Sequence, residues 1–190
     1  QAGVEPPYGR YAIAQLQLRM AQNANDAAGQ ARAVDAMLAS GAAPETTIRP
    51  LLGAQISFAI QAQNWAGAET ALTRLLEMEP NDLERIRQLA EVKIHLNKRP
   101  EALALYQRAL QISQAAGQTP PEEYYRRAFA LASDQRQAGP AAEIGRALLR
   151  AYPTATNGRD ALVLYGQTAG SSDSALAIDL GRLMFTARAL

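Results

Sequence analysis

Apolar residues recur at three- and four-residue spacing along most of the chain, most clearly between Pro80 and Ile112. Ile86, Leu89, Ala90 and Leu96 fall on one face of a first helix. Ala102, Leu105, Tyr106, Ala109 and Leu110 do the same for a second, the period of a helix with one buried stripe. Between them Asn97-Lys98-Arg99-Pro100 is a polar turn, with Pro100 where proline can open a helix but not continue one. The pattern predicts two antiparallel helices. Small residues (Ala90, Ala102, Ala109) sit where the axes must approach, and Tyr106 fills the space beside them.

The same rhythm runs through the rest of the chain. Residues 1–7, with Pro6-Pro7, read as a tail. Tyr8 to Gln22 is helical in pattern, Asn23-Ala24-Asn25-Asp26 breaks it, and a second helix runs to about Leu38 before the stop at Ser40-Gly41. That unit recurs at an offset of 38: Gln17-Leu18-Arg19-Met20-Ala21 matches Gln55-Ile56-Ser57-Phe58-Ala59, and Ala28-Gly29 matches Ala66-Gly67. A further step of 34 carries Leu52 to Ile86, Ala68 to Ala102, Leu72 to Tyr106 and Leu76 to Leu110. A step of 38 from there selects Tyr124, Ala128, Ile144, Ala147 and Leu148, although Tyr152-Pro153 then closes the unit one residue late. A last hairpin is expected over 158–169 and 172–188, turning at Gly170-Ser171-Ser172-Asp173.

The small-then-aromatic alternation of residues 80–112, the Asn64-Trp65 turn and the Met78-Glu79-Pro80-Asn81 exit resemble the tetratricopeptide repeat, whose period is about 34 residues. The resemblance is strongest over residues 48–112. It departs from the family at Lys93, where the family usually has tyrosine or another large side chain, and at Gln55, where it usually has leucine. It implies an all-α protein, a right-handed α-solenoid of about five antiparallel helical hairpins. These span roughly 8–40, 48–78, 82–116, 121–152 and 158–188, in one domain over 1–190.

In such a stack the first helices line a concave groove that binds a peptide or partner protein. The inward stripe would be Arg87, Glu91, Ile94 and His95 in the third hairpin. Its equivalents are Arg19 in the first, Ser57 and Gln61 in the second, and Tyr125 and Phe129 in the fourth. The plainer reading is a solvated face (Arg87, Glu91) beside core rings (Tyr125, Phe129). Some members of the family clamp a C-terminal carboxylate with lysines and asparagines. Here Arg87 fits that role, but Glu91 stands where an amide is needed, so the clamp is not expected.

Composition narrows the picture further. Formal net charge over 190 residues is +1, which argues against nucleic acid as a partner, since duplex binding rests on phosphate neutralisation. Of the 19 basic residues only Lys93 and Lys98 are lysines; with the abundant alanine this suits bacterial coding from a GC-rich genome. There are no cysteines, so neither a disulfide nor a thiolate metal site can form. No apolar run has the length of a membrane span. The chain starts Gln1-Ala2-Gly3 without an initiator methionine, which with the missing cysteines suits an exported, periplasmic protein, the alternative being cytoplasmic.

Catalytic groupings do not assemble. His95 is the single histidine, and Glu122-Glu123 point about 100 degrees apart on a helix, where they favour its positive end. No phosphate loop, ligand set or nucleophile-base pair is present. The expected function is therefore a non-catalytic interaction scaffold without a cofactor or metal. The alternative is a structural or assembly module, in which Leu176, Leu180, Leu183 and Met184 of the C-terminal hairpin pack on another domain or, as a homodimer, on a second copy.

Overall fold

The computed structural model describes residues 6–169 and, beyond them, Ile178, Gly181, Arg182 and Phe185. Among these residues all regular structure is α-helical. The helices are α1 (Pro7–Asn23), α2 (Ala27–Ala39), α3 (Glu45–Gln61), α4 (Trp65–Met78), α5 (Leu83–His95), α6 (Arg99–Ala115), α7 (Glu122–Asp134), α8 (Ala138–Ala151) and α9 (Ala155–Ala169). The first eight pair as four hairpins, and α9 follows them. The expected turn at 170–173 and the apolar set Leu176, Leu180, Leu183 and Met184 lie outside the described residues.

One turn is used four times. Asn25, Gln63, Asn97 and Arg136 each adopt a left-handed backbone, with φ of 51°, 54°, 58° and 55°. The N–H of the next residue (Asp26, Asn64, Lys98, Gln137) then donates to the carbonyl five positions back (Ala21, Ala59, Lys93, Ala132) at 2.8–2.9 Å. A left-handed residue with such a bond stops a helix and satisfies its last carbonyls. Asp26 and Asn64 also cap the helix that follows, accepting from Gly29 N at 2.8 Å and Gly67 N at 3.0 Å. Any Cβ on those glycines would fall within 2.3 Å of Asp26 Oδ2 or 2.6 Å of Asn64 Nδ2. That explains the glycine shared by both copies.

Turn spacing corrects one expectation. Asn25 to Gln63 is 38 and Gln63 to Asn97 is 34, but Asn97 to Arg136 is 39, not 38. The fourth hairpin is thus shifted by one: Ala102 corresponds to Ala141, both fully buried, Ala90 to Phe129, and Tyr106 to Gly145. The late proline is accounted for, since Pro153 keeps its place relative to the shifted turn. Exits from the hairpins are of two kinds. Gly41 and Gly117 leave with φ of 72° and 69°; Glu79 and Tyr152 are forced towards extended backbone by the prolines after them.

The chain divides into two compact units, residues 1–85 and 86–190. In the first, α1 packs on α2, α2 on α3 and α3 on α4, over a core that includes Ala14, Val34, Leu52, Ile56, Ala68 and Leu72. In the second, α6 packs on α7, α7 on α8, and α9 on both α7 and α8. Its core is richer in rings: Tyr106, Tyr124, Tyr125 and Phe129 are all buried. Tyr106 meets Tyr124 edge-on at 6.0 Å, and Tyr125 meets Tyr152 at 6.4 Å, a geometry worth roughly 0.5–1.5 kcal/mol beyond burial.

Candidate functional site

In the second unit α7 and α9 lie side by side and enclose a recess of about 620 Å³. Glu122, Glu123, Arg126, Arg127, Phe129 and Ala130 of α7, Leu148 of α8, and Asn157 and Asp160 of α9 line it. The start of α9 positions the last pair. Thr154, after the helix-stopping Pro153, accepts from Asn157 N through its Oγ1 at 3.2 Å, an N-cap contact. The helix therefore begins at Ala155, three residues before the expected start of the fifth hairpin.

Asn157 is 1% exposed. Its Nδ2 donates to Glu122 Oε1 at 2.9 Å and to the Tyr152 carbonyl at 3.0 Å, so the amide orientation is set. Its Oδ1 is buried and has no partner. Leaving a buried acceptor unmatched costs about 1–3 kcal/mol, and native structures do so rarely. Tyr152 is itself held in place, its hydroxyl donating to the Pro120 carbonyl at 2.9 Å.

The charges around the recess are largely tied to one another. Arg126 lies 3.2 Å from Asp160 and 3.9 Å from Glu122, and Arg127 Nε lies 3.3 Å from Glu91. Glu91 also accepts from the Tyr106 hydroxyl. Burial, then the hydrogen bond and charge of Glu91, push the Tyr106 phenol far above its ordinary pKa. Four carboxylates (Glu91, Glu122, Glu123, Asp160) thus stand against two guanidinium groups. The balance is acidic.

The groove residues expected from the sequence fall into three groups. Arg87, Glu91 and Ile94 are half-buried and His95 is exposed on α5; of these, Glu91 is engaged with Tyr106 and Arg127 instead of facing solvent alone. Tyr125 and Phe129 are 3% exposed. The one-residue register shift turns these two into the core and brings Arg126 and Ala130 to the surface in their stead, with the edge of Phe129 left at the recess wall. In the first unit Arg19, Ser57 and Gln61 are exposed on α1 and α3, and the Ser57 hydroxyl donates to its own helix at Gly53 O, 3.0 Å away. Lys93, its side chain 13% exposed, pairs with Glu101.

Glu123, Arg126, Asn157 and Asp160 were not anticipated. The signal for the first two was the late proline; for the others it was the Pro153-Thr154 cap. Among the described residues no three His, Asp or Glu side chains gather as metal ligands, and no helix is long and apolar enough to cross a membrane.

Hairpins repeated on one turn and stacked within each unit define an all-α helical repeat of the solenoid class, the tetratricopeptide-type fold. Solved structures of similar fold include a MamA protein (TM-score 0.60, 12% identity, 94% of this chain and 92% of that one). YrrB, described as a tetratricopeptide-repeat protein with an unusual peptide-binding site, gives a TM-score of 0.58 at 15% identity, over 91% of this chain and 89% of YrrB. BtubC from P. vanneervenii gives 0.50 at 14% identity, over 97% and 74%. No family model and no curated protein matches the sequence.

Proposed function

We propose that the chain is a non-catalytic interaction scaffold that receives an extended peptide or partner segment in the recess between α7 and α9. The observation that carries this reading is Asn157: an amide clamped at its nitrogen, with a buried carbonyl oxygen awaiting a donor. A backbone N–H or a basic side chain supplies that donor. Glu123 and Asp160 at the rim supply the charge that would favour a lysine or arginine there, and the edge of the buried Phe129 ring supplies an apolar floor. A likeness to YrrB, whose description names a peptide-binding site, points the same way. Arg87, Ile94 and His95 on α5 would extend the surface within this unit. Arg19, Ser57 and Gln61 would offer a second, separate surface on the first.

Panning a peptide library against the protein is expected to enrich sequences with Lys or Arg. Replacing Asp160 by Asn is then expected to weaken binding of an enriched peptide roughly tenfold, about 1.4 kcal/mol, by calorimetry, while helicity stays unchanged. Enrichment of acidic or purely apolar peptides, or an indifferent Asp160→Asn variant, would move the interface elsewhere.

A further inference from the structure

Arg126 and Arg127 are neighbours on α7 and both line the recess, yet they are held differently. Arg127 turns towards α5, where its Nε lies 3.3 Å from Glu91 Oε1, an oxygen that also accepts from the Tyr106 hydroxyl. Arg126 reaches across to α9. Its Nη2 donates to Asp160 Oδ2 at 3.2 Å, and its Nη1 lies 3.9 Å from Glu122 Oε1. That Glu122 oxygen also accepts from Asn157 Nδ2, at 2.9 Å. A guanidinium of the chain itself therefore engages one carboxylate on α7 and one on α9, next to the amide whose Oδ1 is buried without a partner.

The strength of this hold decides what it can do. The Arg126 side chain is 50% exposed, that of Glu122 38% and that of Asp160 44%. Ion pairs so open to water contribute little, because solvent competes for both charges and two side chains must be ordered. The contact to Glu122 is too long for a hydrogen bond, which leaves the bond to Asp160 as the main tether. A second cation cannot share these carboxylates while Arg126 stays, since like charges at close range repel. Arg126 meets the charge of the recess but not its orphaned acceptor, Asn157 Oδ1.

We propose that Arg126 is a resident substitute for the ligand's basic side chain, displaced from Asp160 when a lysine or arginine enters. The proposal rests on the recess being the binding site, and it makes Arg126 a specificity-determining residue. An entering cation must offset the loss of the Arg126–Asp160 bond. A small lone cation has no second group to do so. A basic side chain on a peptide does, because a backbone N–H can donate to Asn157 Oδ1 while the charge replaces Arg126.

The test is calorimetry on the full chain with two probes: an acetylated, amidated Gly-Ser peptide with one central arginine, and its glutamine counterpart. Arg126→Gln is expected to bind the arginine peptide about fivefold more tightly than the parent, the most that breaking one exposed pair costs. The glutamine peptide should bind both proteins alike. Arg127→Gln removes an equal charge from the recess and is expected to tighten binding less. Asp160→Asn should cost more in the Arg126→Gln background than in the parent, because only there is the carboxylate unshared. No binding of the arginine peptide by parent or Arg126→Gln at about 1 mM overturns the recess as the site, and this proposal with it. Binding that falls with Asp160→Asn yet is unchanged or weakened by Arg126→Gln leaves the recess standing and overturns the resident cation. So do equal gains from the two arginine variants, equal tightening for the glutamine peptide, or equal Asp160→Asn penalties in both backgrounds.

Discussion

In the α5–α6 hairpin the large buried side chain, Tyr106, comes from the second helix and reaches Glu91 of the first, whose buried Ala90 is small. At the crossing of α7 and α8 the sources are exchanged: Phe129 is on the first helix and Gly145 on the second. A Cβ on Gly145 would stand 3.2 Å from Phe129 Cε2, so the glycine is the room the ring needs. What the hairpins share is the filled volume of a close-packed crossing, and either helix can supply it. The exchange has a consequence for function. Tyr106 extends a hydroxyl to Glu91 and a ring edge to Tyr124, whereas Phe129 ends at the wall of the recess beside α9.

The two crossings should respond differently to substitution. Truncating Tyr106 to Ala is expected to cost about 3–5 kcal/mol in denaturant unfolding; parent-like stability would show that this ring does not organise its crossing. Tyr106→Phe keeps the volume and removes only the hydroxyl, for a loss of about 1 kcal/mol at neutral pH. Its pH dependence is more telling. The folded phenol titrates above the unfolded one, so its stabilising contribution is complete below the ordinary tyrosine pKa near 10 and fades as pH rises beyond it. The alkaline loss of stability should therefore be shallower in Tyr106→Phe than in the parent. A parallel decline in both would sever the phenol from the effect. The smallest change is expected at the fourth turn. Arg136→Gly relieves a left-handed arginine at some entropic cost, for a net gain of about 0.5–1 kcal/mol, measurable as a small rise in the midpoint of thermal unfolding.

The helical repeat was legible because its signals are local. Small residues at Ala90, Ala102 and Ala109, breakers at Asn25 and Asn97, and a stop at Gly41 each act through a few neighbouring residues. The self-match between Gln17-Ala21 and Gln55-Ala59 reflected a real duplication of turn and cap. The binding surface was harder to see, because a one-residue error on a helix rotates the chosen side chains by about 100 degrees and exchanges core for surface. Tyr125 and Phe129, placed on the groove by that register, are both buried, and of the two only the edge of Phe129 lines the recess. Asn157 was out of reach for another reason: its importance lies in contacts to Glu122 and Tyr152, and no spacing rule links those positions.

The most direct measurement is a double-mutant cycle at the exchanged crossing. Gly145→Leu alone is expected to overpack against the ring at a cost of about 1–3 kcal/mol, and Phe129→Ala alone to leave a cavity costing about 3–5 kcal/mol. Combined, they restore the arrangement of α5 and α6, with the larger side chain on the second helix, and the double variant should be more stable than the sum of the singles by about 1–3 kcal/mol. Strictly additive losses would contradict the shared-volume crossing and the 39-residue register on which the recess depends.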